Sequence, residues 1–588
     1  QNIGNNKKVG LLMLGEMNMN TDIFNKESMK LFFLLCCYFL FSYVLYTICK
    51  LVKFQNCLGL IQILSISIPL IIYLIKMPSN KNICKFGVIG VYLFLLIILP
   101  FLYNKTYDLT VDGNSYHKTA IAFIKNGWNP YYESSTDFQE RNSDIVKFDK
   151  KTKINLWIEH YPKASWISAA IIYNMTNNIE SGKCITLIFS IMLLIIAYNC
   201  LKIIISRKWA IFISILLVLN PITLSQFFTY YVDSIMGIMF VIELLLLLLV
   251  NPMSKINKKL WICIISICTI FSNLKYTGLL YSGIIAAVFY FYWIIKYRKY
   301  NEFFNCFKSF TLAFIITFVT AIFIVGSSSY VKNTIDHHNP LYPIIGNDKV
   351  DIVTTMQPKS FKTKSMGEKF LLSIFSKTEN VTYYSGDPKL KLPFKVYPEE
   401  IEQLMLPDVR IGGFGPLFAL ALIICVILFI RSTIIFIKYE NNNLKYIVLP
   451  FISIALTMIL VGENWWARYI PQLYLLIVGS ILLMIYCKKY KDNIFCKISI
   501  LLASIVVLLN ARYFINNNNE LLKSFKNINN DLTELENREH VNLKLSTDGL
   551  YGYIYNLNDR NINYNIVKKI DEKKIKYIYS WRMEVEQE

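Results

Sequence analysis

GVIGVYLFLLIILPFLYNKTYDLTVDGNSYHKTAIAFIKNGWNPYY, residues 87–132, passes without interruption from an apolar run into a polar stretch. Residues 87–103 have the length and composition of a membrane-crossing segment. Beyond Tyr103 the chain is crowded with Asp, Lys, His, Asn and Tyr, so it leaves the bilayer and places chemistry-bearing side chains at its surface. Asp112 opens a short amphipathic helix in which Tyr116, Ala120, Phe123 and Ile124 share one face by their three- and four-residue spacing. Gly127-Trp128-Asn129-Pro130 ends it. An Asp at a helix start is an N-cap, and it also serves as an acid or base; the two roles are compatible.

The same alternation of apolar run and polar connection recurs along the chain. Apolar runs of about 13 to 19 residues stand at 31–49, 57–75, 87–103, 184–201, 209–222, 234–250, 260–272, 277–295, 309–327, 412–430, 446–461, 471–487 and 498–511. They predict an all-α polytopic membrane protein with about thirteen transmembrane helices. Charged residues make up 17% of the 588, against roughly 25% in soluble domains, and the mean hydropathy is +0.41. Both exclude a set of ordinary soluble domains.

The excess of 61 Lys and Arg over 40 Asp and Glu sits in short clusters between apolar runs, which marks topology rather than nucleic-acid binding. Lys76/Lys81/Lys85, Lys202/Arg207/Lys208, Lys255/Lys258/Lys259, Lys296/Arg298/Lys299, Arg431/Lys438/Lys445 and Lys488/Lys489/Lys491 fall at alternate connections. These are expected in the cytoplasm, with the polar tail 1–30. The opposite connections, including the loops 104–183 and 328–411, are then extracytoplasmic, although Lys50 and Lys53 flank one of them. Segment 162–178 is apolar, but counting it as a crossing would reverse every later cluster; it is expected to lie on or dip into the outer face. The transmembrane domain is expected over 31–511. Residues 512–588, with alternating LYGYIYNL and later IKYIYSW, read as a small mixed α/β extracytoplasmic domain. No cleavable signal peptide is expected, since the first apolar run is long enough to span. The 13 cysteines lie in or beside the apolar runs, so no disulfide framework is implied.

Few ionisable residues fall within the runs, Glu243 being the clearest, which argues against an ion-coupled carrier. The outward connections hold the candidates instead. WIEHYPKASWISA (157–169) carries Glu159, His160 and Lys163, which also fit an interfacial Trp/Tyr/Lys belt. NPITLSQFFTYYVDSIMG (220–237) puts Asp233 at a span end, as cap or functional carboxylate, and SNLKYTG (272–278) puts Lys275 in a tight connection. GENWWARYIP (462–471) carries Glu463, Arg468 and Tyr469. The second loop opens with Lys332, His337 and His338, a His pair that serves structure as readily as binding.

The order Asp, four residues to Tyr, Ala, a Gly-Trp and Pro element, then Lys near Pro and Trp resembles the first extracytoplasmic loop of GT-C membrane glycosyltransferases, especially bacterial relatives of protein O-mannosyltransferases and lipid A aminoarabinose transferase. The resemblance covers about 87–487. It implies the GT-C fold and a sugar donor carried on polyprenyl phosphate, with an acidic residue acting on the acceptor. That residue is Asp112 by position. The family often has Asp-Glu here, whereas this chain has Asp112-Gly113, so Asp108 is the candidate for a second carboxylate. Arg468, before Tyr469 and Pro471, resembles the family's basic residue that meets the lipid phosphate. The loop holding Asp233 resembles one that carries a metal-binding carboxylate pair in oligosaccharyltransferases. One carboxylate stands here, so no metal or other cofactor is expected.

The resemblance therefore implies an inverting glycosyltransferase of the bacterial cytoplasmic membrane, working on the extracytoplasmic side. Asp112, with Asp108 in reserve, is the expected general base. Lys163, Arg468 and Lys275 are the expected phosphate contacts, because a departing phosphate gathers negative charge that cations at short range stabilise. Arg468 equally fits a residue snorkelling to headgroups. Tyr116, His117, Glu159, His160, Asp233, Lys332, His338, Glu463 and Tyr469 are the expected substrate-binding residues. The expected partners are the lipid-linked donor, a glycan, lipid or protein acceptor, and membrane lipids. Two other readings are an O-antigen-type polymerase or ligase, which depends on outward Arg and His, and a lipid or polysaccharide transporter, which the scarce intramembrane charge and absence of an internal repeat disfavour.

Overall fold

In a computed structural model, the structure describes residues 23–76, 82–142, 154–300, 303–351, 353–439, 445–487, 494–545, 550–579 and 582–587. The N-terminal tail before Ile23 lies outside them. Each of the thirteen apolar runs falls mostly on helix, although 412–430 becomes helical only at Phe418 and 209–222 is broken between Val218 and Pro221. Among the described residues, eight helices are long and apolar enough to cross a membrane. The other five runs form helices of 12 to 16 residues: Arg207–Val218, Asp233–Leu248, Lys258–Ser272, Lys445–Leu460 and Leu473–Tyr486. Central helices such as Asp233–Leu248 are buried nearly all round, whereas peripheral ones such as Tyr276–Tyr297 turn Phe291 and Ile295 outward. That is the pattern of a bundle whose rim faces an apolar solvent. Glu243 is wholly buried in the central helix.

Segment 162–178 forms the helix Ala164–Thr176, whose 13 residues are too few to cross. It packs against the helix carrying residues 118–125.

The last helix, Ile494–Glu536, runs for 43 residues, so the boundary expected at 511–512 falls inside one continuous rod. On its far end sits a four-stranded sheet: β1 (Val541–Leu545), β2 (Tyr564–Ile566), β3 (Ile575–Ile578) and β4 (Met583–Glu586), in the order β2-β1-β4-β3. β1 and β2 are parallel and the other pairs antiparallel. Alternation correctly marks Ile575–Ile578 as a strand. LYGYIYNL is instead the crossover helix Gly552–Asn558, whose buried residues run from Gly552 through Leu557. A segment buried on all sides carries no period to read.

Three contacts pin this domain to the first loop. Gly552 lies so close to Asn114 that a Cβ would stand 2.5 Å from the Asn114 Cα. The Asp559 carboxylate accepts hydrogen bonds from the Tyr173 hydroxyl at 2.5 Å and the Ile179 amide at 2.6 Å. Arg560 Nη2 donates to the Tyr107 hydroxyl at 3.0 Å.

Candidate functional site

The helix opening at Asp112 begins with one π-turn, Gly113–His117, before the regular helix Lys118–Lys125, and such turns are frequent at functional sites. The Asp112 side chain makes no capping hydrogen bond. It reaches Arg468 instead, with Nη1 at 3.2 Å from Oδ2. Gly113 is required by space: a Cβ there would lie 2.1 Å from Asp108 Oδ2 and 2.5 Å from Thr110 Oγ1. An Asp-Glu pair therefore does not fit, because Asp108 occupies the room its second side chain needs.

Asp108 itself is committed inward. Its Oδ1 accepts from the Thr110 amide at 2.8 Å and hydroxyl at 2.6 Å, and its Oδ2 from the Tyr230 amide at 2.7 Å. Next to it, Glu180 takes Lys118 and Lys183, each at 2.5 Å, and the Asp108 amide at 3.1 Å. All of these side chains are buried. Unpaired charges at such depth would be prohibitive, so the network stands or falls as a unit. Nothing in the sequence marked Glu180, Lys118 or Lys183: Glu180 and Lys183 share one turn, but Lys118 and Asp108 reach them from another segment.

Arg468 is brought to Asp112 by close backbone packing. Gly237 lets the helix Asp233–Leu248 approach Pro471, where a Cβ would stand 2.9 Å from the proline's Cβ, and Asn220 Nδ2 donates to the Pro471 carbonyl at 3.0 Å. The guanidinium thus also lies 4.0 Å from Asp233 Oδ2, while Lys275 donates to Asp233 Oδ1 at 2.9 Å. Two carboxylates and two cations alternate: Asp112, Arg468, Asp233, Lys275. Asp112 is the most exposed of the four side chains at 28%, against 11% for Arg468, 14% for Lys275 and 3% for Asp233. Among the described residues no group of three His, Cys, Asp or Glu donors is gathered. The carboxylates are balanced by cations.

Aromatic rings wall the cluster. The Arg468 guanidinium carbon lies 4.3 Å from the Trp466 ring centroid, 5.0 Å from Tyr231 and 5.3 Å from Tyr469, and the Lys275 ammonium lies 4.4 Å from Tyr469. Tyr116 packs between His117, Tyr161 and Trp166. The Trp166 indole donates to His117 Nδ1 at 2.7 Å, so that nitrogen carries no proton. Burial pulls His117 down to about 4, against the pull of Asp112 and Asp233.

Two clefts open beside the cluster; each is lined by a ring against which the Arg468 guanidinium packs, while Arg468 and Asp112 themselves line neither. One, of about 500 Å³, is lined by Tyr161, Lys275, Lys349, Asp351, Glu463 and Tyr469. The other, of about 260 Å³, includes Val111, Tyr231, Asp408 and Arg582. Tyr469 belongs to the first and Tyr231 to the second. Lys349, Asp351, Tyr231 and Asp408 carry no motif, and only the folded chain assembles them.

The remaining sequence candidates are placed apart from the four-residue cluster. Lys163 is buried, and its ammonium donates to the Glu159 carbonyl at 2.8 Å, the Tyr161 carbonyl at 2.9 Å and Ser329 Oγ at 3.2 Å. Burial, with Lys332 nearby, draws it down to about 7. It props the turn before Ala164 and is not on the wall of either cleft. Glu159 pairs with Lys332 at 3.5 Å. His160 Nδ1 meets Asn333 Oδ1 at 2.8 Å, and burial pulls its ring down to about 4. His337 stacks on Tyr342, and His338 is exposed in a left-handed conformation at φ 53°, its amide donating to the Asn333 carbonyl as the helix C-cap.

No family model matches the chain, and neither the curated proteins nor the solved structures contain a match to it.

Proposed function

We propose that this chain is a GT-C-type glycosyltransferase with about thirteen crossings, transferring a sugar from a polyprenyl-phosphate donor to an acceptor hydroxyl on the extracytoplasmic face of a bacterial cytoplasmic membrane. The observation that carries this reading is the Asp112–Arg468 pair, whose guanidinium packs against Tyr469 of one cleft and Tyr231 of another. A transferase needs one seat for each substrate and, between them, a base beside a cation.

The cleft of Lys275 and Lys349 suits the donor phosphate, since its cations face a polar opening at the ends of apolar helices. Inward of Lys275, an apolar cavity of about 420 Å³ begins at Leu279 and follows the helix Tyr276–Tyr297 past Gly283, Ala287 and Phe291. Gly283, Ala287 and Phe291 are exposed on the bundle's flank, which suits a chain entering from lipid. In the reaction, an Asp112 oxygen takes the proton of the acceptor hydroxyl as that oxygen bonds to the anomeric carbon. The bond from the anomeric carbon to the phosphate oxygen breaks, and the phosphate leaves with the electron pair toward Arg468 and Lys275. In-line attack inverts the centre. The phosphate competes with Asp112 for Arg468, so donor binding frees the base only when the donor is in place. The deciding experiment is donor turnover by the purified protein with Asp112→Asn, given polyprenyl-phosphate sugars. Transfer at the wild-type rate by the folded variant would remove the proposed base.

A further inference from the structure

The second cleft is not used by the donor, and it lies outside the hydrocarbon. Its wall includes Leu521 and Phe525 of the long helix Ile494–Glu536. Before reaching them that helix has passed Arg512 and the run Asn516 to Asn519. At about 1.5 Å per residue, Leu521 stands roughly 40 Å along the axis from Ile494, more than the ~30 Å hydrocarbon thickness. The C-terminal domain closes the cleft with Tyr579 and Arg582, and the loop before Val409 closes it with Leu406 and Asp408.

Its chemistry is mixed in a particular way. Tyr107, Phe525 and Tyr579 pack edge to face beneath the cleft, with ring centroids 5.8 and 6.1 Å apart, and are buried; half-buried Phe228 and exposed Val111, Met405 and Leu406 present its apolar surface. The Asp408 carboxylate and the Tyr231 hydroxyl have no hydrogen-bond partner among the described residues. Burial holds the Tyr231 hydroxyl well above its ordinary range, with Asp112 and Asp408 adding to it, so it stays a neutral donor. The volume of about 260 Å³ lies just below the usual pocket range of roughly 300–1,000 Å³.

We infer that this cleft is the acceptor site and that it takes the terminal ring of a saccharide chain. A sugar ring offers apolar C–H faces to the Phe228 ring and the aliphatic wall and hydroxyls to a carboxylate and a phenol. A Ser or Thr side chain would leave most of the volume empty. A lipid chain has no apolar path to a cleft above the hydrocarbon. The position is consistent with this: Val111, the chain neighbour of Asp112, and Tyr231, whose ring lies 5.0 Å from the Arg468 guanidinium carbon, both line this cleft, whereas Lys275 lines the other. The C-terminal domain, held to the first loop through Asn114, Tyr173 and Tyr107, thereby supplies part of the acceptor wall.

The inference rests on the transferase reading, and binding separates the two. Saturation-transfer NMR on the full chain in nanodiscs would use chitotriose, mannotriose and a rhamnose disaccharide as probes, with a Ser/Thr peptide as the protein-acceptor arm. At least one saccharide should receive saturation from the wild type. The signal should fall at least tenfold in Asp408→Asn and in Leu406→Trp, an exposed position at the rim whose enlargement blocks the opening. Donor crosslinking at the Lys275 cleft should be unchanged in both. Saccharide signals absent from the wild type, or equal in both variants, overturn the proposal, as does a peptide signal lost in their place. If saccharides bind and respond to the variants while no sugar is transferred, the cleft stands and the transferase reading falls. The same saccharides presented on a lipid carrier distinguish a free from a lipid-linked acceptor.

Discussion

Arg468 Nη1 lies 3.2 Å from Asp112 Oδ2, although the two residues are 356 positions apart in the chain. The contact binds the first loop to the connection before Leu473 and sets the proposed base beside a guanidinium. Asp112→Asn removes the base but keeps the side chain's shape. General-base assistance is commonly worth about 10²- to 10⁴-fold, so turnover should fall by that order while the thermal midpoint moves little. A double-mutant cycle with Arg468→Gln should give a coupling of about 0.5–3 kcal/mol in denaturation. Zero coupling would mean the pair is not formed in the protein.

Lys275 and Lys349 come from distant segments to one cleft. If that cleft holds a phosphate, Lys275→Met and Lys349→Met should each raise the KM for a polyprenyl-phosphate donor by roughly tenfold, the scale of one charge-assisted contact of 1.5 kcal/mol or so. Lys349→Met should leave the fold intact, whereas Lys275→Met also deprives buried Asp233 of a partner. Unchanged donor KM in Lys349→Met would take this lysine out of the site.

Topology has its own test. With loops 104–183 and 328–411 outside, a membrane-impermeant thiol reagent should label Cys introduced at Asn142 or Lys389 in intact cells, but not at Asn257. Labelling of the Asn257 position from outside would reverse the arrangement.

The helices were legible because a long apolar run has one structural solution in a bilayer. The Gly127-Trp128 stop was legible for a local reason, since turns are written in adjacent residues, whereas the cap suggested at Asp112 is not made and its carboxylate meets Arg468. The Asp112–Arg468–Asp233–Lys275 alternation was not, because four residues on four connections acquire partners only through packing such as Gly237 on Pro471. Lys163 shows the converse. Its neighbours suggest an anchor or a phosphate contact, and only the folded turn reveals two backbone carbonyls and Ser329 holding its ammonium. Lys118 was unmarked for the same reason, since it is Glu180 from another segment that makes its burial tolerable.

That buried network should be among the costliest places to touch. Glu180→Gln removes the carboxylate that Lys118 and Lys183 both contact at full burial, leaving only Asp108 nearby, and breaking such a pair from one side costs about 3–5 kcal/mol. Asp108→Asn should also lose stability, because one of its oxygens becomes a donor facing the donors of Thr110 or Tyr230. The expected readout is lower folded yield and thermal midpoint, in contrast to Asp112→Asn. A normal midpoint in Glu180→Gln would show that the network is not closed.

The site should also lose stability on acidification through His117. Its Nδ1 accepts from Trp166, and burial lowers the folded value to about 4 from 6.5, with Lys275 and Arg468 acting in the same direction and Asp112 and Asp233 opposing. Between those values the unfolded chain binds a proton that the folded imidazole refuses. Stability from this residue is therefore complete above about pH 6.5 and is lost as pH falls toward 4. His160, also lowered to about 4, acts in the same sense. Asp559 acts oppositely: burial raises it from 3.8 to about 6, so the folded carboxyl holds a proton in that window and its contribution declines as pH rises. The net slope mixes these groups, but a single substitution isolates one of them. His117→Gln keeps an acceptor for the Trp166 indole and does not titrate. Thermal midpoints measured from pH 7.5 to 4.5 should fall less steeply in the variant than in the wild type, and parallel curves would show that His117 does not govern the acid sensitivity of this site.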